Sequence, residues 1–248
     1  MSRQRKEHKL TNAVLVSDSP FVFAEAYKSL RTNVEFLFSE KESKVILVTS
    51  SIPNEGKTSV SINLAISLAQ TVKNVLLLDC DLRRPKVYAY LRIKHSSKLG
   101  LCSVLKGECT AEDAIGYIEN LNLYVMLAGS APKESATLFT SDETYDVIRD
   151  LSEKFDYVIC DTAPVSVVSD AAVLNRCCDG VLFVVRQKYT NMRQVKDALE
   201  ALNAVEANVI GTVLNGYDIG EDMTYAYNKY YYYHRYDVDE DGEEQKQQ

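Results

Sequence analysis

The sequence predicts an α/β fold, in which a mostly parallel β-sheet is covered by helices on both faces. Apolar runs rich in β-branched residues alternate with segments of helical spacing, which is the pattern of parallel strands joined by crossover helices. The strand candidates are Lys44–Ser50, Asn74–Cys80, Leu121–Leu127, Phe155–Asp161, Gly180–Arg186 and Asn208–Asn215. The helix candidates between them are Thr58–Thr71, Leu101–Lys106, Ser141–Lys154, Ser169–Arg176 and Asn191–Ala204.

The two ends of the chain differ from this central pattern. A basic stretch at the start shows no apolar core, so no signal peptide is predicted, and no apolar run is long enough to span a bilayer. An amphipathic helix is predicted from Ser19-Pro20 to about Phe38, because apolar residues recur at spacings of three and four. We therefore predict a flexible basic leader (1–18), a central domain (19–222) and a flexible tyrosine-rich acidic tail (223–248).

Composition narrows the classes of function. The net charge of −7 argues against non-specific binding of nucleic acid, which depends on neutralising phosphates. The six cysteines form no C-x-x-C pair, so a reduced cytoplasmic protein without disulfides or a zinc site is predicted. Cys80 and Cys160 end apolar runs and are expected to be buried as small hydrophobic groups.

The junction between the first central strand and the helix after it carries Gly-Lys-Thr. This order is typical of a phosphate-binding loop, whose amides surround an anion at the positive end of a helix. Lys57 would add a charge near the β- and γ-phosphates of a nucleotide, and the Thr58 hydroxyl would coordinate Mg²⁺. The general pattern has glycine where this chain has Ser51, so an ordinary strand-to-helix turn is the alternative. The residues predicted to bind the nucleotide here are Ser51, Pro53, Asn54, Glu55, Gly56, Lys57, Thr58 and Ser59.

Three carboxylates follow strand candidates at the same predicted edge of the sheet. Asp79 and Asp81 are two residues apart and share a face if the chain is extended, while Asp161 ends another strand. A lone acid at a strand end usually caps the next turn. Because open α/β sheets bind ligands beyond the carboxyl ends of their strands, this convergence favours a Mg²⁺–nucleotide site. Arg186 and Asn215 end two further strands, and each is either a contact to the nucleotide or an ordinary loop residue.

The tail has an unusual composition. A sticky, β-prone tail is the plain alternative. Dispensable aromatic tails are rare in soluble proteins, so a tail that another molecule recognises is favoured. Clustered phenols beside carboxylates also suit a phosphorylated segment, since each phosphate adds roughly two negative charges. The tyrosines of this cluster are Tyr225, Tyr227, Tyr230, Tyr231, Tyr232, Tyr233 and Tyr236.

These features together resemble the bacterial tyrosine kinases (BY-kinases), specifically the separate cytoplasmic kinases of Gram-positive capsule and exopolysaccharide systems. The family's loop is similar to Ser-x-x-Pro-Gly-Glu-Gly-Lys-Ser/Thr, so Ser51 is expected and Asn54 is the departure from glycine. Asparagine tolerates left-handed backbone angles better than other non-glycine residues, so the loop shape is expected to survive. The stretches Leu78–Pro85 and Asp161–Pro164 resemble the family's Walker A′ and Walker B motifs, with Ala163 a mild departure.

The resemblance implies an ATP- and Mg²⁺-dependent, P-loop-type protein tyrosine kinase that phosphorylates the terminal tyrosines of neighbouring subunits. It implies Lys57, Asp79, Asp81 and Asp161 as catalytic residues, and Thr58 with the three aspartates around the metal. Asp79 is expected to accept the proton of the phenol, although Asp81 can exchange roles with it.

The resemblance also implies a ring of subunits when the tail is unphosphorylated. The family's Glu-x-x-Arg-x-x-Arg motif corresponds to Glu25, Lys28 and Arg31, where lysine keeps the charge but loses the bidentate fork of arginine. On spacing alone these residues would be a solvated face with intrahelical ion pairs. The implied partners are a transmembrane activator that recruits the chain to the inner face of the membrane, a protein-tyrosine phosphatase and other protein substrates, with no nucleic acid among them.

The alternative is a switch ATPase of the MinD/ParA kind on the same fold. Those proteins usually carry a second lysine just after the first glycine of the loop, and here that position is Ile52. Their membrane-positioning members end in a basic amphipathic helix, whereas this chain ends in tyrosines and acids. Both differences favour the kinase.

Overall fold

The computed structural model describes residues 14–40, 44–71, 73–93, 99–130, 136–166 and 170–218. The chain divides into two compact units, Met1–Asn215 and Gly216–Gln248, and only residues 216–218 of the second are described. The seven clustered tyrosines and the first thirteen residues of the predicted leader therefore lie outside the described residues. The last part of that leader is fixed, because Leu15 is buried and its amide donates to Asn63 Oδ1 at 2.7 Å.

Strands and helices alternate through the first unit. The strands are β1 (Lys44–Ser50), β2 (Val75–Asp79), β3 (Ile115–Ile118), β4 (Leu123–Met126), β5 (Tyr157–Asp161), β6 (Gly180–Arg186) and β7 (Val209–Asn215). The helices are α1 (Phe21–Leu37), α2 (Lys57–Ala69), α3 (Val87–Tyr90), α4 (Leu101–Leu105), α5 (Ala111–Ala114), α6 (Ala136–Phe139), α7 (Asp142–Lys154), α8 (Asp170–Leu174) and α9 (Met192–Asn203). Short 3₁₀ turns cover Glu119–Leu121 and Asn175–Cys177.

The seven strands form one sheet in the order β3-β4-β2-β5-β1-β6-β7, and every neighbouring pair is parallel except β3 with β4. Strands β1, β2 and β5 are buried along their whole length, which explains why they read as continuous apolar runs rather than alternating ones. A hydrophobic cluster covers each face of the sheet. The predicted mostly parallel α/β fold is thus confirmed, and Cys80 and Cys160 are buried as expected.

The main differences from the predicted elements lie at one edge of the sheet. Strand β3 was not predicted, because its four residues are half-buried or exposed and show no apolar run. The predicted strand Leu121–Leu127 is shortened to β4 by the 3₁₀ turn before it. The short helices α3, α5 and α6 were also missed, since four residues are too few to display a helical period.

The parallel register brings the strand ends of the site together. Asp79 is paired with Asp161 on the adjacent strand, and Asp161 is paired with Val48 of β1, two residues before that strand ends. The carboxyl ends of β1, β2 and β5 therefore lie side by side. Among the described residues, no helix has both the length and the apolar composition required to cross a bilayer.

Candidate active site: a braced phosphate loop beside unpartnered carboxylates

The loop between β1 and α2 depends on a glycine at its last position. Gly56 has φ +95°, in the left-handed region, and a Cβ placed there would lie 1.9 Å from Nδ2 of Asn215. Asn54 is also left-handed, with φ +67°. Asparagine adopts that conformation more readily than other residues with a side chain, so its replacement of the usual glycine is compatible with the loop.

The carboxylate of Glu55 is a brace inside the loop. Its residue is fully buried, and both oxygens lie 3.0 Å from the Ser51 hydroxyl. The Ile52 amide donates to Oε2 at 2.6 Å, and the Thr190 hydroxyl donates to Oε1. These donors satisfy a buried negative charge and tie the first and last parts of the loop together. The side chains of Glu55 and Ser51, both predicted to bind the nucleotide, thus contact each other.

Three side chains from distant strand ends hold successive carbonyls of the same loop. Tyr189 Oη donates to the Pro53 carbonyl at 3.2 Å, and Arg186 Nη1 donates to the Asn54 carbonyl at 3.1 Å. Asn215 Nδ2 donates to the Glu55 carbonyl at 2.8 Å. In a trans peptide the next amide points away from the carbonyl, and no cis peptide bond occurs among the described residues. The amides of residues 54–56 therefore face away from these donors, as in an anion-binding nest.

Arg186 and Asn215, predicted as nucleotide contacts, are accordingly placed as supports of the loop backbone. Tyr189 and Thr190 were missed by the sequence reasoning. Arg186 was identified because it ends a strand. Tyr189 and Thr190 lie three and four residues further along the same connection, so the same signal could have identified them.

Asp79 and Asp161 are buried beside the loop with unsatisfied oxygens. Among the described groups, neither oxygen of Asp79 nor Oδ2 of Asp161 has a hydrogen-bond partner, while Oδ1 of Asp161 lies 3.1 Å from the Ser61 hydroxyl. Burial raises the pKa of Asp79 well above its ordinary value, and the charges of Asp161 and Asp81 add to that effect, while the backbone amides of Val87 and Asp81 lower the pKa without making a hydrogen bond of normal geometry. Burial also raises the pKa of Asp161 to about 6, against the opposing effect of Lys57.

Asp81 and Lys57 form the accessible side of the same cluster. Nζ of Lys57 lies 3.8 Å from Oδ2 of Asp81, and Oδ1 of Asp81 accepts the Arg84 amide at 3.1 Å. Thr58, the second residue of α2, is buried and its side chain hydrogen-bonds to Asp161. The structure therefore brings together Lys57, Thr58 and the three aspartates that were identified from the sequence.

These residues fit a hard divalent cation. In the described ranges, no three histidine, cysteine, aspartate or glutamate side chains are arranged to enclose a metal ion by themselves. Mg²⁺ does not require such a cage, because it is usually held by one or two carboxylates together with water and substrate phosphates. The unpartnered oxygens of Asp79 and Asp161 are the donor type that this ion takes.

The predicted oligomerisation residues lie on α1 and differ in their surroundings. Nζ of Lys28 pairs with Oε1 of Glu25 at 2.6 Å on the exposed side. The side chain of Arg31 is only 17% exposed, and its Nη1 donates to the Ser67 carbonyl near the end of α2 at 2.9 Å. Lys28 is thus exposed, Glu25 is partly buried with 24% of its side chain exposed, and Arg31 is mostly used inside the subunit.

Comparison with known proteins identifies the chain's relatives. Residues 43–214 match the family model described as "AAA domain". The chain is 30% identical over 227 residues to tyrosine-protein kinase YwqD of Bacillus subtilis (strain 168), covering 92% of this chain and 95% of that protein. It is 32% identical over 232 residues to succinoglycan biosynthesis transport protein ExoP of Rhizobium meliloti (strain 1021), covering 88% of this chain but only 29% of ExoP.

Solved structures agree with these relatives. The kinase domain of the Escherichia coli tyrosine kinase ETK superposes with a TM-score of 0.74 at 30% identity, covering 78% of this chain and 75% of that one. MinD from Pyrococcus horikoshii OT3 shares the P-loop nucleotide-binding fold, with a TM-score of 0.60 at 23% identity and 70% of each chain covered. Sequence identity along nearly the whole length and the matching kinase-domain fold lead to one assignment: this chain belongs to the family of bacterial tyrosine-protein kinases.

Proposed function

We propose that this kinase transfers the γ-phosphoryl group of ATP, with Mg²⁺, to tyrosines in the C-terminal tail of neighbouring subunits. The observation that carries the proposal is the pair of buried aspartates with unpartnered oxygens, Asp79 and Asp161, of which Asp161 interacts with the charge of Lys57. Buried carboxylate oxygens without partners are unfavourable for the fold alone. A bound cation with a nucleotide gives them a role.

The phosphates are held by the loop and by Lys57. The amides of residues 54–56 face the anion, because the carbonyls before them are bonded on the outside of the loop. Lys57 approaches the β- and γ-phosphates from the first turn of α2, where the helix dipole is also positive. In this way Arg186 and Asn215 act on the nucleotide through the loop backbone.

Thr58, Asp79 and Asp161 would hold the metal, Thr58 directly and Asp161 through water. When bound, Mg²⁺ would neutralise the charge that develops on the phosphate oxygens during transfer. Ser61 keeps one oxygen of Asp161 oriented at 3.1 Å, which leaves the other oxygen for the metal shell.

The acceptor phenol must lose a proton as its oxygen attacks the γ-phosphorus and the bond to the β-phosphate oxygen breaks. A phenol has a pKa near 10, so a carboxylate beside it assists this step. Asp79 has the raised pKa that suits a base, but it is completely buried. Asp81 is slightly exposed and borders Lys57, so its position favours the exchange of roles that the sequence left open: Asp81 meets the phenol and Asp79 supports the metal.

The proposed biological role is control of capsular or extracellular polysaccharide synthesis and export. The support is the relationship to ExoP, whose name describes succinoglycan biosynthesis and transport. A transmembrane activator would recruit the chain to the inner face of the membrane, a phosphatase would reverse the reaction, and further proteins would serve as substrates. Assembly into a ring would use the ion pair between the exposed Lys28 and the partly exposed Glu25 of α1.

The test combines two variants of the full chain with labelled ATP and Mg²⁺. Lys57→Met is expected to abolish labelling of Tyr225–Tyr236, located by mass spectrometry. When Lys57→Met is mixed with a second chain whose seven tail tyrosines are phenylalanine, label should return to the Lys57→Met tail, since transfer runs between subunits. Label that never returns in the mixture would exclude transfer between subunits. Release of phosphate without any phosphotyrosine would instead indicate the switch ATPase.

The role of α1 is tested by reversing its exposed charge pair. Glu25→Lys is expected to lower the native mass of the unphosphorylated protein from that of an oligomer to that of a monomer. The double variant Glu25→Lys with Lys28→Glu restores the ion pair within α1 but not the contact to another subunit, so it should also have the native mass of a monomer. An assembly that survives Glu25→Lys would refute the proposed interface.

A further inference from the structure

The exposed charges on the connection after β2 are all of one sign. Between residues 80 and 93 the only acid is Asp81, which is buried, while Arg83, Arg84 and Lys86 are exposed. We call these three cations the basic segment. The chain as a whole carries a net charge of −7, so a purely basic border at the active site is contrary to its average surface.

The basic segment is fixed relative to the candidate catalytic carboxylate. The Arg84 amide donates to Asp81 Oδ1 at 3.1 Å. Nε of Arg83 lies 3.3 Å from Oδ2 of Asp170, a residue that is almost completely buried. Within the described ranges, the side chains of Arg84 and Lys86 form no ion pair. Two cations are therefore held beside Asp81 without an internal partner.

The position of the basic segment separates it from the residues that support the phosphate loop. The loop leaves β1, and its outer side is held by residues that follow β6 and end β7. Strand β2 lies on the other side of β1 from β6. The two strands are three positions apart in the sheet, so the distance between them is roughly 14 Å. The basic segment therefore borders Asp81, the carboxylate at which we propose that the acceptor phenol is bound.

The occupant with complementary charge is the tail of this chain. Residues 234–248 contain six acidic residues against two basic ones, and Tyr236 is followed at once by Asp237, Asp239, Glu240 and Asp241. We propose that Arg84 and Lys86, with Arg83 held by Asp170, bind carboxylates next to the acceptor tyrosine. The enzyme thereby prefers tyrosines in an acidic context. This inference rests on the proposed kinase function and adds the substrate class of the same site.

The first experiment compares two peptides with the full-length wild-type protein. One peptide has the sequence of residues 228–241, and the other has its four acids replaced by the corresponding amides. The acidic peptide is expected to have a KM several-fold to about tenfold lower, because exposed ion pairs contribute roughly 1.4- to 5-fold each. The difference should vanish in 0.5 M NaCl, where the screening length falls to about 4 Å. Equal KM values at low salt would overturn the proposal.

The second experiment reverses the two unpaired charges. Arg84→Glu with Lys86→Glu is expected to abolish the preference for the acidic peptide while the KM for ATP changes by less than about twofold. The matched control is Arg193→Glu with Lys196→Glu on the exposed face of α9, which makes the same change in net charge on a helix that follows β6, across β1 from the basic segment, and should retain the preference. A rise in the KM for ATP equal to that for the peptide would assign the basic segment to the nucleotide and refute the proposal.

The outcomes also separate this inference from the one on which it rests. If no phosphotyrosine forms on either peptide or on the chain, the kinase proposal itself fails. If both peptides are phosphorylated equally well, only the proposed recognition of acidic residues fails. Thermal unfolding of each variant is recorded alongside, and the wild-type comparison of peptides remains decisive if a variant does not fold.

Discussion

Glu55 and Asp79 are two fully buried acids at the candidate site, and they differ in whether their oxygens accept hydrogen bonds. Glu55 receives hydrogen bonds from Ser51, Ile52 and Thr190. Asp79 has no partner for either oxygen among the described residues. Burial of an acid is unfavourable unless its oxygens are satisfied, so one half of the site is complete without ligand and the other is not.

This contrast indicates what each half is for. A phosphate loop works best when its shape exists before the anion arrives, because no free energy is then spent on ordering it. A metal site of carboxylates repels itself until a cation or a proton neutralises it. The phosphate loop is therefore preorganised. In the proposed function, the unfavourable burial of the carboxylates would be relieved when a cation binds.

The largest expected effect comes from breaking the loop at Gly56. Gly56→Ala places a Cβ 1.9 Å from Asn215 Nδ2 at φ +95°, so both the backbone and a supporting side chain are displaced. We expect ATP affinity to fall by roughly a hundredfold or more, since left-handed strain alone costs about 1–3 kcal/mol. Isothermal titration calorimetry with a non-hydrolysable ATP analogue and Mg²⁺ measures this affinity.

The matched control for that change is Gly107→Ala. Gly107 has a similar φ of +69°, but a Cβ there meets nothing within 4 Å. Gly107→Ala introduces similar backbone strain outside the phosphate loop, so it should leave ATP affinity unchanged. If both variants lost affinity equally, the contact with Asn215 would not be the cause.

The contrast between the two acids predicts stability changes of opposite sign. Glu55→Gln presents an amide to existing donors and should lower the free energy of unfolding by roughly 1–3 kcal/mol. Asp79→Asn removes an unpartnered buried charge and should raise it by a similar amount in the absence of Mg²⁺, while phosphotransfer is lost. Denaturant unfolding of both variants, with and without Mg²⁺ and nucleotide, gives the two values. The same sign for both would contradict the comparison.

Stability of the ligand-free protein should depend on pH in the unusual direction for acids. The pKa of Asp161 is raised to about 6 in the folded state, from about 4 when unfolded, and the pKa of Asp79 is raised as well. The folded state then binds more protons, so the stabilising contribution is complete below pH 4 and is lost as pH rises through 6. The slope is up to about 1.4 kcal/mol per pH unit for each group.

Thermal unfolding of the wild type between pH 4.5 and 7.5 measures this dependence. Asp79→Asn with Asp161→Asn should flatten the profile, and bound nucleotide with Mg²⁺ should flatten it too. A wild-type profile that rises from pH 5 to 7 while the double variant falls would reverse the predicted sign.

The smallest effect is expected at Thr190. Thr190→Val removes one of the donors to Glu55, and a hydrogen bond to a charged group contributes roughly 1.5–3 kcal/mol, of which part is recovered by the remaining donors. We expect the KM for ATP to rise a few-fold with kcat nearly unchanged. Thr190→Ser keeps the hydroxyl and should restore the wild-type KM; no rescue would mean that the methyl group, not the hydrogen bond, matters.

The sequence was sufficient for the strands and for the residues at their ends. Lys57, Asp79 and Asp161 were found because buried parallel strands form long apolar runs, and the chemistry follows directly where each run stops. The roles of Glu55 and Arg31 were not predictable. Both were assigned by motif position, yet Glu55 points at Thr190 and Arg31 at the Ser67 carbonyl. Ser51 and Ile52 hold Glu55 from within the loop, but its contact with Thr190 and that of Arg31 with Ser67 join residues 135 and 36 positions apart, which no local pattern encodes.

The hydrogen bond from Asn215 to the Glu55 carbonyl has a consequence for biosynthesis. Its two residues are 160 positions apart, and Asn215 is the last residue of β7. At a translation rate of about 5–20 residues per second, the loop emerges roughly 8–30 s before the side chain that closes it. A nascent chain therefore lacks this support of its phosphate loop until β7 has been synthesised.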